Sequence, residues 1–150
     1  MDIIAHSNLN LEMLNAVARA ALGPATCGVS AGGGQSRIHL VNHNLPEQQR
    51  ASDALNHFGN LSLSADRTRI RAGYPDPVVR CADARIAADR QLAYLILRDG
   101  AVTAQGKLDV IGGKASLTLP APAPGVYDLF LYQLAGQFAS GTLRIRVEAS

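Results

Sequence analysis

Tryptophan is absent from this 150-residue chain, and aromatic residues make up only 5% of it. A surface that stacks bases or sugar rings needs several exposed rings, so the composition argues against such a platform. Charge is sparse as well. Lys, Arg, Asp and Glu together contribute 17%, with a formal net charge of +2. Nucleic-acid binders carry a dense basic stripe, and this balance does not suggest one. Disordered chains pair high charge with low hydrophobicity, whereas 47% of this chain is hydrophobic. No apolar run approaches the ~20 residues that span a bilayer as a helix. The opening MDIIAHSNLN lacks the basic start and long apolar stretch of a secretory signal, so the chain is expected to be made and to fold in the cytoplasm. Only two cysteines occur, Cys27 and Cys81. They are far apart and fall in different predicted domains, so free thiols buried as small apolar groups are expected rather than a disulfide.

What is present divides into two stretches. Residues 1–59 mix strand-like and helix-like patterns. Asp2 to His6 reads as a strand. Asn10 suits a helix N-cap, since its side-chain oxygen can accept from a free backbone N–H. A 3.6-residue repeat follows, with Leu11, Leu14, Ala18, Ala21 and Leu22 on one face, closed by Gly23 and Pro24. Thr26–Ser30 and Arg37–Val41 form a hairpin across a loose glycine loop, Ala31 to Ser36. Asn44-Leu45-Pro46-Glu47 is a capping box, opening a helix expected to run to Phe58, to bury Ala51, Ala54, Leu55 and Phe58, and to stop at Gly59. The order strand, helix, strand, strand, helix describes a small α+β unit, reminiscent of part of a ferredoxin-like layer. So short a unit is marginal alone and is expected to lean on its neighbour or on a partner.

From residue 60 to residue 150 the helical repeat gives way to short strands separated by turns. They are Leu61–Ser64, Thr68–Ala72, Val78–Asp83, Leu92–Arg98, Val102–Val110, Lys114–Leu119, Gly125–Leu134 and Gly141–Glu148. Leu143, Ile145 and Val147 face one way, while Thr142, Arg144, Arg146 and Glu148 face the other. Ala115, Leu117 and Leu119 likewise share a face. Turn signals recur at Asp99-Gly100, Gly112-Gly113, Pro120 to Gly125 and Gly136. This spacing describes a β-sandwich or barrel.

Residues 120–132, PAPAPGVYDLFLY, sharpen that reading. Pro124-Gly125-Val126-Tyr127 resembles the E–F corner of immunoglobulin-like domains, where a Tyr at the start of strand F bonds back to the corner backbone. Gln137–Val147 resembles the closing F–G hairpin and strand G. The stretch from Ser62, Ala65 and Asp66 to Ile70-Arg71-Ala72-Gly73 resembles the first strand of bacterial Ig-like modules, which are frequent in tailed-bacteriophage virion proteins. The unit ahead of it also looks like domains of phage structural proteins. The resemblance implies an α+β N-terminal domain (1–59) followed by an all-β immunoglobulin-like sandwich (60–150). It implies a non-enzymatic structural protein of a tailed-phage virion, anchored through the first domain and displaying or cementing with the second. Its partners would be other virion proteins, capsid or tail, in a symmetric multi-copy assembly or homo-oligomer, with no nucleic acid and no membrane. The alternative is a cellular adhesion or carbohydrate-binding Ig-like module. The strand-C Trp and inter-sheet disulfide of antibody domains are missing: Cys81 lies on the expected strand B, but Leu129 stands where its partner would. The core is therefore expected around Leu129, Leu131, Leu95 and Ile145.

Candidate chemistry is thin. His39 and His43, four apart on a strand, could approach a metal, and His6 and His57 complete the set of histidines, but no carboxylate or cysteine cluster accompanies them, and solvated histidines are preferred. Gly32-Gly33-Gly34 lacks the Lys-Ser/Thr of a P-loop and reads as a flexible hairpin tip. Ser140-Gly141 reads as an ordinary turn, and no serine sits in a G-x-S-x-G elbow. Asp66, Asp76, Asp83, Asp89 and Asp99 fall near loops without calcium-loop spacing. No catalytic residue, metal or cofactor is expected. Two surfaces stand out as candidate interfaces. Arg67, Arg69 and Arg71 alternate along one strand face, with Arg80, Arg85 and Arg90 following. They form either a solvated edge guarded by charge or a contact for an acidic protein or glycan. Phe130 and Tyr132 face away from Leu129 and Leu131, together with Asp128. They mark either an interface or a surface covered by the N-terminal unit or a loop.

Overall fold

The computed structural model describes residues 2–5, 9–41, 44–56, 58–120, 122–134 and 138–149. About half of the described residues lie in strands. In chain order the elements are β1 (Asp2–Ala5), α1 (Leu11–Leu22), β2 (Thr26–Gly32), β3 (Gln35–Leu40), α2 (Leu45–Asn56), β4 (Phe58–Leu61), β5 (Leu63–Ala65), β6 (Arg69–Arg71), β7 (Val78–Ala82), β8 (Gln91–Arg98), β9 (Ala101–Asp109), β10 (Lys114–Thr118), β11 (Gly125–Gln133), β12 (Ala139–Ser140) and β13 (Leu143–Glu148).

Local chemistry sets the N-terminal elements. Asn10 caps α1, its Oδ1 accepting from the Glu12 and Met13 amides, and Gly23 closes the helix at φ 56°. Asn44 caps α2 by accepting from the Glu47 amide at 2.9 Å. The glycine loop is tighter than expected. Gly33 and Gly34 both have positive φ, 59° and 77°, as the central pair of a type I′ turn requires. Pairing therefore continues to Gly32 and Gln35, and the tip is a two-residue turn. The second helix also differs. It ends at Asn56, and Phe58 and Gly59 belong to β4, which runs parallel to β12. Pairing with a distant strand overrides the local helical pattern there. His6, His43, His57 and the Gly136 turn lie outside the described residues.

Strands β1, β3 and β2 form an antiparallel sheet in that order. A second sheet places β7 between β10 and β5. The largest sheet runs β9, β8, β11, then β13 with β12 along the other side of β11, then β6 and β4 parallel to these. The second and largest sheets pack face to face as a β-sandwich, around Val79, Cys81, Ile96, Leu117, Leu129 and Ile145. Opposite alternation on β11 feeds two cores. Tyr127, Leu129 and Leu131 point into the sandwich, while Phe130 points to the helices with Met13, Val17, Ala54 and Leu97. Leu95 also belongs to this second core, not to the sandwich pin where it was expected. Its neighbours Leu92 and Ile96 fill the sandwich instead. A third core lies between the helices and the first sheet, through Leu14, Ala18, Ile38, Leu40 and Ala51.

Helix α1 is thus buried on two sides. Leu14, Ala18 and Leu22 meet the first sheet and α2, whereas Met13 and Val17 meet the largest sheet. Leu11, expected inside, is 44% exposed. One further close approach shapes β9. Gly106 lies opposite Tyr94 on β8, and a Cβ on it would meet the Tyr94 ring at 2.8–2.9 Å. The phenol lies where a side chain would stand, so the glycine answers a steric demand.

Candidate functional surfaces

Phe130 is fully buried beneath the helices, so it is not a free contact residue. Tyr132 is partly buried, with its ring centroid 5.6 Å from that of Phe130. Burial pushes the Tyr132 hydroxyl pKa up. Tyr132 lines an open groove of about 410 Å³ between α1 and β9, with Ala16, Leu95, Val102, Gln105 and Leu134. Val102 and Leu134 are 40% and 44% exposed, and Glu12, Asn15 and Arg19 of α1 line the groove as well, so it is of mixed polarity. Asp128, on the same face as Phe130, is buried and takes two bonds from Arg144, at 2.9 Å from Nε and 3.2 Å from Nη2.

Arg69 and Arg71 of β6 stand at a sheet edge, because among the described residues β6 pairs with β13 alone. Arg69 is held by Glu148, its Nε donating at 2.7 Å, and Arg67 donates to the Pro75 carbonyl at 2.9 Å. Arg71 borders a shallow pocket of about 390 Å³ with Tyr74, which is 57% exposed. The three arginines line this one pocket together.

The loop aspartates are spread over separate stitches. Asp66 accepts from the Val78 amide, and this bond holds its carboxyl below the usual range. Asp99 accepts from the Val126 amide, and its own amide donates to the Val126 carbonyl. Asp89 accepts from the Gln133 side chain. Asp83 accepts from both the backbone and the guanidinium of Arg85. Among the described residues no group of three or more His, Cys, Asp or Glu is placed to hold a metal. His39 sits 2.8 Å from the Ser30 hydroxyl. Ser140 is not in a turn. It is a buried strand residue whose Oγ accepts from the Leu131 amide at 3.0 Å, because it joins β11 to β12. Cys81 is buried, and desolvation raises its thiol pKa. Cys27, expected to be buried too, is exposed on β2 where the register shifts between Thr26 and Gly28.

Arg85, read in the sequence only as a member of the arginine cluster, has a structural role that the sequence did not show. Its guanidinium pairs with Asp83, donates to the Asn60 carbonyl and lies 4.7 Å over the Phe138 ring. It ties the strand entering the sandwich to the stretch between β11 and β12. The local signal was Asp83 two residues ahead; Asn60 and Phe138 are distant in sequence and carry none. The Arg85 bonds hold the Asp83 carboxyl at about 2, below its ordinary 3.8. A depressed native pKa stabilises the fold above the unfolded value and ceases to do so as pH falls through the native value. The stability advantage of the wild type over Asp83→Asn is therefore expected to be full at about pH 5 and to vanish as pH falls through about 4 to about 2. Urea midpoints of the two proteins across that range check it; a constant difference would contradict the pairing.

No protein-family model matches the chain, and no curated protein matches it in sequence. Among solved structures it is similar to a polysaccharide lyase, with a TM-score of 0.41 and 13% identity, over 75% of this chain and 15% of the lyase. It is also similar to the extracellular domain of mouse leukocyte-associated immunoglobulin-like receptor 1, solved as a strand-swapped dimer, with a TM-score of 0.38 and 12% identity, over 57% of this chain and 84% of that one. The chain thus spans a small part of the lyase, and both likenesses are too loose to carry an assignment. Among the described residues no helix is long and apolar enough to cross a membrane.

Proposed function

We propose that the chain is an immunoglobulin-like structural module, a non-enzymatic component of a tailed-bacteriophage virion. In this reading it anchors to other virion proteins through its N-terminal α+β layer and displays or cements with its sandwich. The strand connections carry the Ig-like part. The first sandwich stretch is shared between sheets: β5 pairs antiparallel with β7, and β6 then pairs parallel with β13. This supports naming β5, β7 and β10 as strands A, B and E. On the other sheet, β9, β8, β11, β13 and β6 correspond to C′, C, F, G and A′. Tyr127 then opens strand F, and its hydroxyl donates to the Ala123 carbonyl four residues upstream at 2.8 Å, as a tyrosine corner does. The non-enzymatic part is supported by how the polar candidates are used: Asp66, Asp83, Asp89, Asp99 and Ser140 are each bound in separate structural contacts. Mass spectrometry of purified particles tests the virion reading. The chain is expected among the particle proteins, and its absence from every particle whose genome encodes it overturns the assignment.

One observation favours a cellular adhesion or carbohydrate-binding module as a second reading. The outer face of the β5–β7–β10 sheet forms a trough of about 680 Å³, lined by Ser64, Arg80, Ser116, Lys114 and Ile111. Ser64, Arg80 and Ser116 stand in one row across the three strands. Glycan-array binding that Arg80→Ala abolishes would favour this reading.

A further inference from the structure

We propose that the outer face of the β5–β7–β10 sheet is a binding site for an acidic oligosaccharide, with Arg80 holding a sugar carboxylate. The proposal deepens the second reading above and rests on it for the carbohydrate. Strand alternation builds the face. Ser64 points outward between Leu63 and Ala65 of β5, Arg80 between the buried Val79 and Cys81 of β7, and Ser116 between the buried Ala115 and Leu117 of β10. The register sets the three in one row, so Arg80 has a serine on either side. Lys114 stands two residues along β10 from Ser116, and such diagonal neighbours lie about 7–8 Å apart, within reach of long side chains. The helices pack on the largest sheet, through Met13, Val17 and Ala54, so this face of the sandwich stays open.

The cations on the face are unpaired. Elsewhere Arg69, Arg85 and Arg144 are held by Glu148, Asp83 and Asp128. The side chains of Arg80 and Lys114 make no hydrogen bond or ion pair with the described residues. The nearby carboxylates are committed: Asp109 accepts from Gln91 Nε2 at 3.2 Å, and Asp66 accepts from the Val78 amide at 2.9 Å. A free guanidinium offers a planar fork that matches a carboxylate bidentately. The serine hydroxyls beside it both donate and accept, as sugar hydroxyls do. Ile111, 78% exposed, gives the rim an apolar contact for the C–H face of a ring. The trough holds about 680 Å³, within the range of about 300–1,000 Å³ for small-molecule clefts. Among the described residues no aromatic ring lines it, so stacking cannot supply the affinity and charge must. That selects acidic sugars over neutral ones. The row crosses β7, whose backbone is paired on both sides, so an extended peptide finds no ladder to join there.

Isothermal titration calorimetry with a short oligogalacturonate tests this, against its fully methyl-esterified form and against polyglutamate. The acidic sugar is expected to bind, and the other two to bind about tenfold more weakly or less. Arg80→Ala should weaken binding about tenfold or more, as loss of a charge-assisted bond does, and Lys114→Ala should weaken it by a smaller factor. Arg71→Ala removes an exposed cation from the other sheet and should leave binding unchanged. All three positions are exposed, so the variants should melt with the wild type. A wild type that does not bind oligogalacturonate overturns the proposal. So does equal binding of the methyl ester or of polyglutamate, an Arg80→Ala that binds as the wild type does, or an Arg71→Ala that loses as much as Arg80→Ala. Binding of neutral array glycans without oligogalacturonate would overturn the acidic site and leave the carbohydrate reading standing, whereas no binding of any sugar would strike both.

Discussion

Phe130→Ala is expected to lower stability by about 3–5 kcal/mol, the range for truncating a buried aromatic to alanine. Phe130 is fully buried and sits where α1, α2 and the largest sheet converge, packed with Met13, Val17, Ala54, Leu95 and Leu97. Truncation leaves a cavity that helix and sheet can close only by moving together, and the other cores on either side oppose that movement. The variant should therefore also loosen α1, seen as faster amide exchange across Leu14 to Leu22 than in the wild type. Tyr132→Ala supplies the internal contrast. Its ring is partly buried, on the same face of the same strand, and the expected loss is smaller, about 1–2 kcal/mol. Urea denaturation of both variants checks the ranking. Equal losses, or an unchanged α1 after Phe130→Ala, would contradict the packing described.

Phe130 also shows how far the sequence could be read. Alternation along β11 placed Leu129 and Leu131 on one face and Phe130 on the other, and the two cores bear that out. What covers Phe130 was not legible, because the covering residues, Met13 and Val17, sit on an arc of α1 beside the main apolar stripe. A helix buried on both sides needs a wide apolar arc, and a search for a single stripe finds only the face toward the first sheet. β8 posed the same problem in strand form. Leu92, Ala93, Leu95, Ile96 and Leu97 are all buried, so both faces are apolar and a two-residue repeat cannot say which core each residue enters. That is why Leu95 was assigned to the wrong core. In β13, where Arg144 and Arg146 alternate with Ile145 and Val147, the facing was plain.

Turns and caps were legible where one residue type carries the geometry. Asn10 and Asn44 cap their helices, and Asp99-Gly100 makes the β8–β9 turn with φ of 50° and 86°. Contacts between distant segments were not. The Arg85 cluster joins Asn60, Asp83 and Phe138, and β4 forms only because β12 is there to receive it. The candidate surfaces followed the same division. Arg69 and Arg71 were found on one strand, while Arg67 lies ahead of it, and the groove beside Tyr132 depends on where α1 lies across the sheet.

Tyr127 carries the second large expectation, and two substitutions separate its parts. The side chain is buried at 6% exposure in the sandwich core, and its hydroxyl reaches the Ala123 carbonyl. Tyr127→Phe keeps the ring and deletes only the bond, so a loss of about 1 kcal/mol is expected. Tyr127→Ala removes the ring as well and should cost about 3–5 kcal/mol. The smaller change has the more specific consequence. The hydroxyl fixes the approach from Ala123 to Gly125, where Arg98 also donates to the Pro124 carbonyl and Asp99 accepts from the Val126 amide. Losing the bond should therefore raise exchange at the Val126 amide, while amides in the middle of β11 change only with global stability. If Tyr127→Phe matched the wild type in both stability and exchange, the hydroxyl would be incidental. The corner would then give no support to reading β11 as strand F, and that reading would rest on strand connections alone.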